Sequence, residues 1–122
     1  MAKILLAEDE KQIGDMVAFK LSNSGHQVFR ARDGEEALRL ATAERPDLIL
    51  LDVMMPVLNG FEVLRRLKGD PALATTPVIM LTAKGRERDV LGGLSAGAAD
   101  YIVKPFSLKE LTARIDSALR KS

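Results

Sequence analysis

The feature that most constrains the fold is a short apolar run, Leu48 to Leu51, that leads directly into Asp52. The run lies between Pro46 and Pro56 and is far too short to cross a membrane. A short, wholly apolar segment with these boundaries predicts a strand buried on both faces, as in a parallel sheet. Asp52 then lies where this strand ends, and ligands of open α/β sheets bind at that edge.

The rest of the chain alternates predicted strands with predicted helices. Apolar segments predict four further strands, at residues 4–7, 27–31, 77–82 and 101–103. Helical periodicity follows each strand, and three of the helices have a polar residue followed three positions later by glutamate, which is typical of a helix N-terminus: Asp33, Asn59 and Ser107. We therefore predict an α/β fold, a single doubly wound domain whose five parallel strands are covered by helices on both faces.

Two of the helices carry specific expectations. In the first helix, four apolar side chains should share the buried face: Ile13, Met16, Val17 and Leu21. The helix predicted from about Arg86 to Ser95 contains Gly92 and Gly93, each of which costs roughly 1 kcal/mol relative to alanine in a helix interior. We expect this helix to be the least stable of the set, although close packing explains the two glycines equally well.

Composition and charge exclude several classes of function. The chain has 122 residues and a net charge of +1, which gives no electrostatic basis for binding nucleic acid or an anionic membrane. It contains no cysteine, so disulfides and thiolate metal sites are excluded. No apolar stretch is long enough for a signal peptide or a membrane span, and we therefore expect a cytoplasmic protein.

Polar side chains follow the predicted strands at points that a parallel sheet brings to one edge. They are Glu8 and Asp9 after the first strand, Asp52 after the third, Thr82 after the fourth and Lys104 after the fifth. Carboxylates held close together repel one another unless one is protonated or a cation compensates them. Oxygen ligands without histidine or cysteine favour Mg²⁺, which commonly also binds phosphate oxygens. The sequence therefore predicts a site for Mg²⁺ and a phosphoryl group.

Asp52 is the candidate acceptor of that group, because a carboxylate can act as a nucleophile and form an aspartyl phosphate. There is no Walker A sequence and no Gly-rich dinucleotide motif, so the phosphoryl group has to come from another molecule. Each residue alone has a simpler interpretation: Asp52 and Thr82 as turn residues, and Lys104 as a solvated charge. The coincidence of compatible groups on four strands favours a site. The single histidine, His26, is interpreted as a loop residue.

Four motifs, in order along the chain, resemble the receiver domain of two-component response regulators. They are Leu6–Glu10, Leu51–Pro56 with Gly60, Leu81–Ala83, and Tyr101–Phe106. The resemblance covers essentially the whole chain and implies a flavodoxin-like (βα)5 fold with strand order 2-1-3-4-5. It also implies a cis peptide bond before Pro105. Residues 1–122 would form one receiver domain, with no output domain present.

The resemblance also implies a reaction and a metal site. Asp52 would accept a phosphoryl group from a histidine kinase or a histidine phosphotransfer protein. The chain would catalyse its own modification and would not be a turnover enzyme. Asp9 would bind Mg²⁺ directly, Glu8 would hold it through water, and Asp52 and the backbone carbonyl of Met54 would supply further oxygen ligands.

The same resemblance implies a conformational switch. Lys104 would pair with the phosphoryl group, Thr82 would move to hydrogen-bond it, and Tyr101 would turn inward behind Thr82. The face formed by the helix near residues 86–95, the fifth strand and the last helix would then change and control partner binding or dimerisation. Four charged residues could form pairs between subunits: Arg86, Asp100, Glu110 and Arg114.

Alternatives of other classes stay open. An Mg²⁺-dependent phosphatase that forms an aspartyl phosphate often has a general acid two residues after the nucleophile, where this chain has Met54. A flavin protein would need a loop rich in serine, threonine and glycine after the first strand, where Glu8 to Glu10 stand. A receiver that docks partners without ever being phosphorylated would not need the complete set of acids.

Overall fold

Five parallel strands form one sheet in the computed structural model, which describes residues 1–83, 92 and 96–121. The strands are β1 (Lys3–Ala7), β2 (Gln27–Ala31), β3 (Leu48–Asp52), β4 (Val78–Ala83) and β5 (Asp100–Lys104). Their order across the sheet is β2-β1-β3-β4-β5, so β2 is an edge strand. The predicted flavodoxin-like sheet and its strand order are confirmed, and Asp52 is the last residue of the central strand.

Three helices of the described part of the chain connect β1 to β2, β2 to β3 and β3 to β4, and a fourth follows β5. They are α1 (Lys11–Asn23), α2 (Gly34–Glu44), α3 (Gly60–Lys68) and the C-terminal helix (Leu108–Lys121). Three predicted N-terminal signals are confirmed, because Asp33, Asn59 and Ser107 each accept a hydrogen bond, at 2.8 to 3.0 Å, from the backbone N–H three residues later. Apart from Gly92, the helix predicted near residues 86–95 lies outside the described residues. Every helix in residues 1–83 and 96–121 is too short or too polar to cross a bilayer.

The core lies in two layers, one on each face of the sheet. Leu5 and Ile49 pack in the layer that contains the buried side chains of α2 and α3. Leu6 and Leu50, the next residues along the same strands, pack in the layer that contains the buried side chains of α1 and the C-terminal helix. All five residues of β3 are buried, as predicted for a strand covered on both faces.

The prediction that Met16 lies on the buried face of α1 is wrong. Val17 and Leu21 are buried, but the side chain of Met16 is 43% exposed. Helical residues advance by roughly 100° each, which places position 16 to one side of the stripe that positions 13, 17 and 21 form. On the other side of that stripe, Gly14 is buried beneath the guanidinium group of Arg30, which would have to move if position 14 carried a Cβ. The periodicity was correct, but the centre of the buried face lies nearer Gly14 than Met16.

Helix α3 approaches the end of β3 so closely that position 60 has no room for a side chain. A Cβ at Gly60 would clash with the carbonyl oxygen of Asp52 and would lie 2.9 Å from the Cα of Val53. The N–H of Gly60 donates a hydrogen bond to the carbonyl oxygen of Val53 at 2.8 Å. The start of α3 therefore holds the backbone of Asp52 in place.

We expect Gly60→Ala to lower the free energy of unfolding by about 2–3 kcal/mol, because the added methyl group overpacks two backbone atoms that cannot move independently. Gly69→Ala is a matched control, since a Cβ at Gly69 would make ordinary contacts at 3.5 Å and its φ of −82° suits alanine. Its stability should change by less than about 1 kcal/mol. Urea denaturation measures both, and equal effects of the two substitutions would contradict the packing argument.

Candidate functional site

The C-terminal ends of β1, β3 and β5 bring Glu8, Asp52 and Lys104 together, as predicted. In the parallel pairing of β1 with β3, Ala7 lies opposite Leu51, so Glu8 and Asp52 follow at neighbouring positions. Lys104 Nζ lies 2.9 Å from Asp52 Oδ2 and 2.9 Å from Glu8 Oε1. One ammonium group therefore compensates two buried carboxylates. The peptide bond from Lys104 to Pro105 is cis, as the resemblance implied.

Glu8 is the most deeply buried acid of the site, because its side chain has no exposed surface. Burial raises the pKa of Glu8, a hydrogen bond with Asp52 and the charge of Asp52 add to the rise, and a hydrogen bond with Lys104 opposes it, so that the net pKa is about 7. Burial also opposes the charge of Lys104. Its hydrogen bonds with Glu8 and Asp52 and their charges outweigh that effect and raise the pKa of the ammonium group. Lys104 is therefore protonated at neutral pH, whereas the carboxyl group of Glu8 gains or loses its proton near neutral pH.

The carboxylate of Asp52 is held by contacts on both of its oxygens. The residue is only 4% exposed. Its Oδ1 accepts a hydrogen bond from the backbone N–H of Met54 at 3.0 Å, and its Oδ2 accepts one from Lys104 at 2.9 Å. These bonds set the direction of the carboxylate before any ligand binds. That the carbonyl of Met54 is a metal ligand stays a prediction.

Thr82 and Tyr101, the two predicted switch residues, are both buried. Thr82 is 2% exposed, and its hydroxyl has no hydrogen-bond partner within the described residues. A buried hydroxyl left in this state costs about 1–3 kcal/mol, so a group that enters the site and bonds to it would recover that energy. Thr82 follows Leu81, which pairs with Asp52 between β4 and β3. Tyr101 is 7% exposed and lies in the core layer beneath α2 and α3.

The structure adds Glu10, which the sequence analysis did not select. Carboxylate oxygens of Glu8, Glu10 and Asp52 all lie within 4.8 Å of one another, and Glu10 Oε1 lies 3.3 Å from Lys104 Nζ. Asp9, the predicted direct metal ligand, is not in this group. It is exposed and lines a cavity beside the site, whose walls also carry charged side chains of α1 and β2. The backbone is extended at Glu10, and alternate residues of an extended chain point to the same side. This alternation is the signal that could have identified Glu10.

The donor set fits Mg²⁺. It consists of carboxylate oxygens alone, which is the chemistry that hard divalent cations prefer. Among the described residues, one ammonium group faces three carboxylates, so a divalent cation would balance the charge that Lys104 leaves uncompensated. Glu8 is also too deeply buried for water to stabilise its charge, and a cation beside it would do so.

We expect the metal-free protein to become less stable as the pH rises from about 5 to 8. The pKa of Glu8 is about 7 in the folded protein, whereas the ordinary pKa of an exposed glutamate is 4.5. The folded state thus binds more protons than the unfolded state between these values, and the free energy of unfolding falls as the pH rises. The stabilisation is fully present below the lower value and is lost through the higher one. The loss from Glu8 amounts to about 2–3 kcal/mol.

Urea denaturation in EDTA at several pH values measures this loss. Glu8→Gln, which cannot titrate, should show a flatter dependence of stability on pH, and added Mg²⁺ should raise the stability of the unsubstituted protein most at the higher pH. An identical pH dependence in Glu8→Gln would show that other groups cause it.

Comparison with known proteins places this arrangement in one family. Residues 4–116 match the family model of the response regulator receiver domain. The chain is 48% identical, over 98% of its length, to the alkaline phosphatase synthesis transcriptional regulatory protein PhoP of Bacillus subtilis. It is 44% identical, again over 98% of its length, to the phosphate regulon transcriptional regulatory protein PhoB of Pseudomonas aeruginosa. These alignments cover 49% and 52% of the two relatives, so the chain spans about half the length of the curated relatives it matches.

Solved structures agree over the full fold. The receiver domain of the Francisella response regulator 1452 superposes with a TM-score of 0.91 at 36% identity, covering 99% of this chain and 98% of that one. The chemotaxis response regulator CheY4 of Vibrio cholerae superposes with a TM-score of 0.91 at 36% identity, covering 97% of this chain and 98% of that one.

Proposed function

We propose that Asp52 accepts a phosphoryl group in this chain, which belongs to the family of response regulator receiver domains. Phosphoryl acceptance is the general function of that family. The observation that most supports Asp52 as the acceptor is its contact with Lys104, 2.9 Å from Oδ2, at the C-terminal end of the central strand. This contact places a permanent positive charge beside the one carboxylate that the sheet brings to the middle of the site.

The proposed step is an in-line displacement at phosphorus. A carboxylate oxygen of Asp52 forms a bond to phosphorus while the bond from phosphorus to an imidazole nitrogen of the donor breaks. The electron pair of that bond stays on the nitrogen. Lys104 balances charge on the phosphoryl oxygens, and the hydroxyl of Thr82 donates a hydrogen bond to one of them. The donor would be a histidine kinase or a histidine phosphotransfer protein.

The acidic residues would hold Mg²⁺ at this site. When bound, the ion would neutralise both the crowded carboxylates and the oxygens of the incoming group. Glu8 and Asp52 are proposed to hold it, with Asp9 and the carbonyl of Met54 completing the set that the resemblance implies. These residues act once, on their own chain, so we propose self-modification and not turnover of a foreign substrate.

The modification is proposed to alter the face that contains β5 and the C-terminal helix. Thr82 would move toward the phosphoryl group and Tyr101 would turn further inward, which would change partner binding or dimerisation. Arg114 pairs within its own chain, at 2.8 Å from Asp100 and 3.3 Å from Glu110. Ion pairs between subunits would therefore require Arg114 to exchange these partners for those of another copy. Arg86, the fourth residue predicted to form such pairs, lies outside the described residues.

Residues 1–122 are proposed to act as one receiver domain, in the cytoplasm. The relatives reported above are named as transcriptional regulators, which supports control of transcription as the output when such a receiver is joined to a suitable domain. The net charge of +1 gives the receiver itself no electrostatic basis for binding nucleic acid.

Intact-mass spectrometry after incubation with acetyl phosphate tests the proposal. We expect a mass increase of one phosphoryl group in Mg²⁺ and none in EDTA. No mass increase in Mg²⁺ would favour a receiver that only docks partners. Continuous release of inorganic phosphate from a foreign phosphoester, without an adduct, would favour the phosphatase alternative.

A further inference from the structure

Glu10 lies at the solvent side of the site, and we propose that it selects among phosphoryl donors by their negative charge. The inference rests on the proposed function, because it concerns the reaction at Asp52. It assigns to Glu10 a role in donor specificity that is separate from holding the metal.

The side chain of Glu10 is directed into the site and not toward its own helix. Glu10 immediately precedes α1, yet its side chain makes no capping hydrogen bond to that helix. Its backbone N–H instead donates to Glu8 Oε2 at 3.1 Å, which ties this part of the chain to the buried acid. Its carboxylate reaches Lys104, 94 residues away in the sequence, with Oε1 at 3.3 Å from Nζ.

Exposure increases from the acceptor outward. The side chain of Asp52 is 5% exposed, that of Lys104 is 15% exposed and that of Glu10 is 61% exposed. Glu10 is therefore the outermost group that binds the ammonium of Lys104. A phosphoryl donor approaching Asp52 from solvent has to come close to the carboxylate of Glu10 and displace it from Lys104.

That carboxylate opposes a donor in two ways. It repels the negative charge of the donor, and it competes with the phosphoryl oxygens for Lys104. For an exposed carboxylate surrounded by water, two unit charges several ångströms apart repel enough to change a rate about threefold per charge, and less when salt screens them. A donor with more negative charge should be slowed more. Acetyl phosphate is a dianion at neutral pH, whereas phosphoramidate has a protonated nitrogen and carries less net negative charge.

The test compares phosphorylation rates of the unsubstituted protein and Glu10→Gln with each donor, in saturating Mg²⁺ and at two ionic strengths. We expect Glu10→Gln to react about three- to tenfold faster with acetyl phosphate and about two- to threefold faster with phosphoramidate. Both gains should shrink at the higher ionic strength. Glu44→Gln is the matched control, because it removes the same charge at the opposite edge of the sheet, where Glu44 lies 4.0 Å from Lys3. Its rates should equal those of the unsubstituted protein.

Three results would overturn the proposal. Equal gains with the two donors would show that Glu10 does not discriminate by charge. Unchanged rates would show that it does not affect access to Asp52. Slower reaction combined with a higher Mg²⁺ concentration for half-maximal rate would assign Glu10 to the metal instead. If the proposed function itself were wrong, the unsubstituted protein would form no phosphoryl adduct. That result is distinct from the three above and would overturn both proposals.

Discussion

Replacing Asp52 by asparagine is expected to abolish phosphorylation, lowering the rate with acetyl phosphate by at least about a thousandfold. The amide has nearly the shape of the carboxylate, so the packing of the residue is kept. It lacks the negative charge and the nucleophilic oxygen that form the bond to phosphorus. Intact-mass spectrometry over time, in Mg²⁺, measures the loss.

Asp47→Asn is the matched control for this substitution. Asp47 lies at the opposite edge of the sheet, where its carboxylate accepts a hydrogen bond from the backbone N–H of Lys3 at 2.8 Å. Its removal should leave the rate of phosphorylation unchanged. A phosphoryl adduct that persists in Asp52→Asn would show that another residue is the acceptor.

Replacing Lys104 by methionine is expected to slow phosphorylation by about a hundredfold, in the range seen when one group that stabilises a transition state is removed. Methionine keeps the apolar part of the side chain and removes the charge that lies 2.9 Å from Asp52. It also leaves Glu8 and Asp52 buried without their cation, which should destabilise the metal-free protein by about 3–5 kcal/mol at neutral pH. The rates should therefore be compared in saturating Mg²⁺, with folding checked by circular dichroism.

Lys109→Met provides the control for Lys104→Met, because Lys109 is an exposed lysine of the C-terminal helix. It should react at the rate of the unsubstituted protein. If Lys104→Met were phosphorylated equally fast while folded, the positive charge beside Asp52 would have no part in the transfer.

The strands could be predicted from the sequence because their apolar runs are short and clearly bounded. The run that ends at Asp52 was placed correctly between Pro46 and Pro56, and β2 was predicted with the boundaries that it has, Gln27–Ala31. Periodicity was less reliable for α1, where Met16 is exposed because the buried face is centred nearer Gly14. The order of the strands followed from the family resemblance and not from periodicity, which says nothing about which strands are neighbours.

The site could be predicted in part because parallel strands end at one edge. Glu8, Asp52 and Lys104 lie in contact for that reason alone. The sequence did not reveal which further acid lies closest to Asp52 and Lys104, because that depends on the direction of the chain after β1. The extended backbone there turns Glu10 toward Lys104, while Asp9 lies outside the group of three acids.

Chemical location of the phosphoryl group tests the central claim most directly. Borohydride reduces an aspartyl phosphate to homoserine, and peptide mass spectrometry then identifies the reduced position. After reaction with acetyl phosphate in Mg²⁺, we expect homoserine at position 52 and at no other aspartate. Homoserine at position 9, or a stable phosphoryl adduct with no reduced aspartate, would contradict the assignment of Asp52 as the acceptor.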